Sequence, residues 1–197
     1  MSLTVSDLMP LLRETLISPR KGARMILDLG LAARVGWLAL ALMAVGSAIL
    51  THLTMVMMSP EAVAYWGGAM GSPVNTAILQ WVVMFVTVHA VHRLGRMRGG
   101  AGTLAESVVL VAWLQFVLLA LQALQLVVQV ILPPFAQLLG LAGLGLFFWL
   151  LTNFVAEIHG FKSLGAVFAS VVFVMILASM VMVFVFSIFY GDPTAGM

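Results

Sequence analysis

His89 and His92 stand three residues apart, on neighbouring positions of one helical face, and Glu157 and His159 close a later apolar run. Two imidazoles and a carboxylate suit zinc, which takes nitrogen and oxygen donors and leaves one position open in its catalytic sites. The spacing constrains such a site weakly, because Glu157 and His159, two apart, point to different faces of one helix. These four residues are the only metal candidates, and the expectation is that no metal or cofactor is bound. His52, alone near the far end of the first apolar run, reads as a hydrogen-bonded packing residue.

Amides form the second set. Gln115, Gln122, Gln125 and Gln129 lie in one apolar run and fall within roughly 80° of one another at about 100° per residue. In lipid such a stripe either bonds a neighbouring helix, each bond contributing about 0.6–2 kcal/mol, or lines a polar path. A transport path normally shows broken helices or ionisable groups at mid-membrane. The runs here contain neither, which favours helix contact while leaving a path open.

Other motifs have plainer readings. Thr103 and Glu106 have the spacing of a capping box, in which each side chain satisfies a backbone donor of the other. Gly140, Gly143 and Gly145 spell GLAGLG, but a nucleotide loop needs a strand before it, and these glycines sit inside an apolar run. They read as small residues for close helix approach, as do Ala44 and Ala48. There is no cysteine, which removes thiolate ligands, disulfides and cysteine nucleophiles. With no catalytic constellation in view, the chain is expected not to be an enzyme.

The elements that carry these residues are membrane spans. The chain is 63% hydrophobic and 8% charged, with a mean hydropathy of +1.16, against about 25% charged in soluble domains. Five runs are long enough to cross about 30 Å of hydrocarbon: 35–58, 74–92, 104–132, 135–156 and 164–190. Ser59-Pro60-Glu61 predicts a short surface helix, followed by Tyr65 and Trp66 at the lipid boundary and by Gly67-Gly68 and Ser72-Pro73 turns. Pro133-Pro134 predicts a tight turn, Gly160 a C-cap and Ser163 an N-cap.

Charge sets the expected orientation. Arg13, Arg20, Lys21, Arg24 and Arg34 precede the first span, Arg93, Arg96 and Arg98 follow the second, and Lys162 follows the fourth. No Lys or Arg falls in 59–73, at the Pro-Pro turn or after Tyr190. The positive-inside rule then places the N-terminus in the cytoplasm and the C-terminus in the periplasm, as five spans require. The fold class is an all-α polytopic bundle, with residues 1–34 as a cytoplasmic segment, 35–190 as the membrane domain and 191–197 as an external tail.

Within 1–34, Ser18-Pro19 separates two short helices. In the second, Lys21, Arg24 and Asp28 share one face while Ala23, Ile26, Leu27, Gly30 and Ala33 share the other. Such a helix either lies on anionic lipid, with Arg20, Lys21 and Arg24 as contacts, or docks its apolar face on the bundle.

The order and texture of these segments resemble the Yip1 family of five-span membrane proteins, in its short bacterial form. The resemblance rests on Ile17-Ser18-Pro19-Arg20 before the first span, Gly99-Gly100-Ala101-Gly102-Thr103 with Glu106 opening the third, and Ala156–Val167 joining the last two. It implies a five-helix membrane fold. Eukaryotic members act in vesicle traffic and associate with small GTPases, and carry an Asp-Leu-Tyr-Gly-Pro motif. Asp7-Leu8-Met9-Pro10 is one residue short of it and lacks Tyr and Gly. The expectation is a non-catalytic scaffold or accessory subunit of a bacterial inner membrane, with lipids and other subunits or further copies as partners and no nucleic acid. The alternative is a channel or transporter for a small neutral or weakly polar solute.

Overall fold

The computed structural model describes residues 5–58, 63 and 71–190. The expected surface helix at Ser59–Glu61, the Tyr65-Trp66 pair, Gly67-Gly68 and the tail 191–197 lie outside the described residues. Seven described helices follow one another: α1 (Val5–Ile17), α2 (Pro19–Leu27), α3 (Ala33–Val56), α4 (Pro73–Met97), α5 (Leu104–Ile131), α6 (Pro133–His159) and α7 (Leu164–Tyr190). There is no strand among the described residues. Helices α3 to α7 are each long and apolar enough to cross a membrane.

Their boundaries follow local chemistry. Thr103 and Glu106 form the capping box of α5: the Glu106 carboxylate accepts from the Thr103 N–H at 2.7 Å, and the Glu106 N–H donates back to Thr103 Oγ1 at 3.2 Å. Ser72 caps α4, and the Ser163 hydroxyl accepts from Ala166 N–H at 3.3 Å at the start of α7. Gly160 ends α6 in the left-handed conformation. Ser18 precedes Pro19 at the start of α2 but makes no side-chain cap.

Two boundaries differ markedly from expectation. Helix α4 continues past His92 to Met97, which puts Arg93 and Arg96 on the helix rather than in a loop. Nothing stops it before Gly99, whose φ of 82° is left-handed. Pro133 and Pro134 open α6 as its first turn, where a missing N–H costs no hydrogen bond. The Asp7–Pro10 stretch is helical and belongs to α1.

Helix α5 is central, with α2, α3, α4 and α6 all packed on it. Gly36, Leu40, Ala44 and Ala48 recur every four residues on α3 and form its buried stripe. A side chain on Gly36 would strike Val108, so this glycine permits a close α3–α5 approach. A Cβ on Gly140 or Gly143 would only crowd the flexible ends of Gln125 at 3.1 Å and Leu121 at 3.0 Å on α5, while Gly145 faces open space. Half of the α5 span is buried against 6% of the α7 span, and α7 packs mainly on α6.

The N-terminal pair α1–α2 enters the same core as the spans. Leu11, Ala23 and Ile26 cluster with Leu110, Trp113, Leu114, Leu150 and Phe154. The fully buried Thr15 hydroxyl donates to Leu11 O at 2.8 Å and accepts from Trp113 Nε1 at 2.9 Å. Gly22 lets α2 sit directly on Thr15. Of the two dockings considered for the amphipathic helix, its apolar face goes to the bundle.

Candidate functional site

Polar chemistry gathers at the end of the bundle where the basic residues lie, formed by α2, the end of α4, the start of α5, the end of α6 and the start of α7. Glu157 anchors it. Its side chain is 7% exposed, and its carboxylate accepts from Arg20 Nε at 2.9 Å and from Arg24. A carboxylate buried between two guanidinium groups ties α2 to α6, because losing either side leaves an uncompensated charge. Lys21 pairs instead with Glu14 of α1 at 3.0 Å. The three cations expected to meet anionic lipid are therefore all engaged within the chain, although Lys21 and Arg24 stay about 70% exposed.

His159 points away from Glu157, as two-residue spacing on a helix requires. Its ring lies in a cradle of Gly95, Gly100 and Gly102, where a Cβ at any of the three would overlap it. The Gly102 N–H donates to His159 Nδ1 at 3.2 Å, and His159 Nε2 contacts Val91 O at 3.1 Å. A carbonyl only accepts, so Nε2 carries the proton and both ring nitrogens are satisfied. Phe161 stacks on the ring at 5.5 Å. One imidazole thereby joins α4, the glycine loop and α6.

The other histidines go elsewhere. His89 bonds Phe85 O at 2.9 Å, and its ring meets those of Phe85 and Trp37 in tilted contacts. His92 Nδ1 is buried without a hydrogen-bond partner. His52 contacts Thr76 Oγ1 at 3.0 Å. No three His, Asp or Glu side chains converge as a metal site among the described residues. The set His89, His92, Glu157 and His159 is dispersed because Glu157 turns to α2 while His159 turns to α4.

The amide stripe is also divided. Gln122 bridges to α3: Ser47 Oγ donates to its Oε1 at 2.8 Å, and its Nε2 donates to Thr51 Oγ1 at 3.1 Å. Gln125 lies over Gly140 of α6. Gln122, Gln125 and Gln129 line a cavity of about 320 Å³ with Thr51 and Thr54, away from the basic end. Gln115 is half-buried on the same helix and does not line this cavity. All four glutamines are half-buried, so the face is at least partly withdrawn from its surroundings.

Sequence reasoning missed the glycine cradle, although Gly95, Gly100 and Gly102 around a loop signal room for a neighbouring ring. The Ser18-Pro19-Arg20 segment, the glycine loop and the Glu157–Gly160 stretch lie far apart in the chain and meet at this one junction. No match to a curated protein or to a solved structure was found. The Yip1 domain matches residues 13–186, nearly the whole chain and all three converging segments, and the protein belongs to the Yip1 domain family of integral membrane proteins.

Proposed function

We propose that the protein is a non-catalytic scaffold or accessory subunit that organises a membrane complex, held in a bacterial inner membrane with its basic end in the cytoplasm. The observation that carries this reading is the use made of the reactive side chains. Glu157, His159, Glu106 and Gln122 are each bonded within the bundle and join helices or cap them. The result is a braced platform beside a helix, α7, whose apolar surface is almost wholly uncovered. Phe168, Ile176, Met180 and Val183 present one exposed face of α7 for other membrane subunits or further copies of the chain. Photo-crosslinkers at Ile176 and Met180 in native membrane should give one protein adduct of constant mass, lost when Val183 on the same exposed face is replaced by a charged residue. Adducts to lipid alone would overturn the reading.

A second reading is supported by the amide cavity. Gln122, Gln125 and Gln129 with Thr51 and Thr54 offer hydrogen-bonding groups to a small neutral solute. Replacing Gln115, Gln122, Gln125 and Gln129 with leucine separates the two: the scaffold reading expects disturbed assembly, and a lost solute flux with assembly intact favours a path.

A further inference from the structure

One cavity, about 510 Å³, is an open groove between α4 and α7. Its walls are apolar, from Val86, Ala90, Leu94, Val167, Val174 and Ala178 among others. It runs from Ser163 to Ala178 along α7, roughly 22 Å at 1.5 Å per residue. That exceeds the about 15 Å of one leaflet of a roughly 30 Å hydrocarbon core. Apart from Thr87, whose hydroxyl donates to Val83 O of its own helix, the polar lining gathers at the basic end, where Arg98, Lys162, Ser163 and Ser170 form the mouth.

Charge selects the occupant. Arg20, Lys21 and Arg24 have carboxylate partners within the chain, whereas Arg98 and Lys162 have no carboxylate within ion-pair distance among the described residues. Arg98 donates to the Ser170 hydroxyl, which draws its guanidinium over the groove, and a guanidinium has five N–H donors in all. The positive end of the α7 dipole opens at the same mouth, where Ser163 caps the helix. A cationic, donor-rich mouth on an apolar channel fits a phosphate with a hydrocarbon chain attached. A partner's transmembrane helix would fill the channel but leave both cations unmatched.

We propose that this groove binds one anionic phospholipid, its phosphate at Arg98 and Lys162 and an acyl chain between α4 and α7. The site is distinct from Arg20, Lys21 and Arg24 of α2, the anionic-lipid contacts expected from the sequence. This site is separate from the outward face of α7 on which the scaffold reading rests.

Native mass spectrometry of the detergent-purified full chain, supplied with phosphatidylglycerol or with phosphatidylcholine of identical acyl chains, tests it. One phosphatidylglycerol should stay bound, at least tenfold in preference to phosphatidylcholine. Arg98→Ala with Lys162→Ala should erase the preference, and Arg98→Lys with Lys162→Arg should retain it. Ala90→Leu with Ala178→Leu, which fill the channel, should release the lipid while both cations remain. Unchanged melting of each variant shows that the fold survives. Equal retention of the two lipids, retention that follows Arg20, Lys21 and Arg24 instead, or a dimer abolished by the channel-filling pair would each overturn the proposal. The crosslinking result at Ile176 and Met180 is independent of every one of these outcomes.

Discussion

The half of the bundle that carries the basic residues and the half that does not share the same five spans, yet they are held together differently. In the basic half, α5 buries every residue from Ser107 to Leu114, and α6 buries Leu150 to Ala156. In the other half, α6 from Pro133 to Trp149 buries only Ala136, and Leu124, Val127, Val130 and Ile131 of α5 are exposed. The difference is supplied by α1 and α2, which wedge a second layer against α5 and α6 at one end only. Lipid tails are as apolar as leucine, so helices in a membrane gain little by burying leucine against each other. What distinguishes the basic half is close packing combined with polar bonds that have nowhere else to go: Arg20 and Arg24 to Glu157, Trp113 to Thr15, and Gly102 to His159.

Breaking the basic half should therefore cost more than breaking its opposite. The largest effect is expected from Glu157→Ala, which leaves two arginines facing an emptied buried site. Removing one partner of a fully buried pair costs about 3–5 kcal/mol. Arg20 and Arg24 are partly solvated here, so about 2–3 kcal/mol is expected. Thermal unfolding in detergent measures it, and limited proteolysis should newly cut the α1–α2 pair away from the spans.

Gly95→Ala comes next, because its Cβ would meet only ring atoms of His159 and would enter the space of that ring. Overpacking of this kind costs about 1–3 kcal/mol. Its effect should not add to that of His159→Ala, since emptying the cradle makes room for the methyl group. A double-mutant cycle checks this, and additive losses would show that the ring and the glycine are independent. In the opposite half, Gln122→Leu removes the bridge to Ser47 and Thr51. Interhelical bonds of this type average about 0.6 kcal/mol in the membrane. A loss as large as that of Glu157→Ala would erase the contrast between the halves.

Features written in consecutive residues could be read from the sequence. The five spans, the Thr103–Glu106 box, the Gly160 and Ser163 caps and the Ala44–Ala48 stripe depend on hydropathy or short spacing, and the structure contains each of them. The end of α4 was harder, because arginines at a span's edge suit a helix and a loop equally until Gly99 breaks the chain. The pairing of Glu157 with Arg20 and Arg24 spans more than 130 residues, and no local rule encodes it. His159 and Glu157 look like one ligand set on paper, and only tertiary packing sends them to opposite partners. For the glutamines the shared helical face was legible. Its division between a bond to α3, a position over Gly140 and a cavity lining depends on where α3 and α6 cross α5.

Because the chain has no cysteine, paired spin labels can compare the two halves directly. One pair, Met25→Cys and Met97→Cys, reports α2 against α4 at the basic end, and the other, Ile131→Cys and Val181→Cys, reports α5 against α7 at the opposite end; all four positions are exposed. Double electron–electron resonance in lipid nanodiscs should give a single narrow distance for the first pair and a broad distribution for the second. Glu157→Ala should broaden the first and leave the second unchanged. A first pair that is already broad, or that stays narrow without Glu157, would contradict the claim that the α1–α2 wedge braces one half of the bundle through this carboxylate.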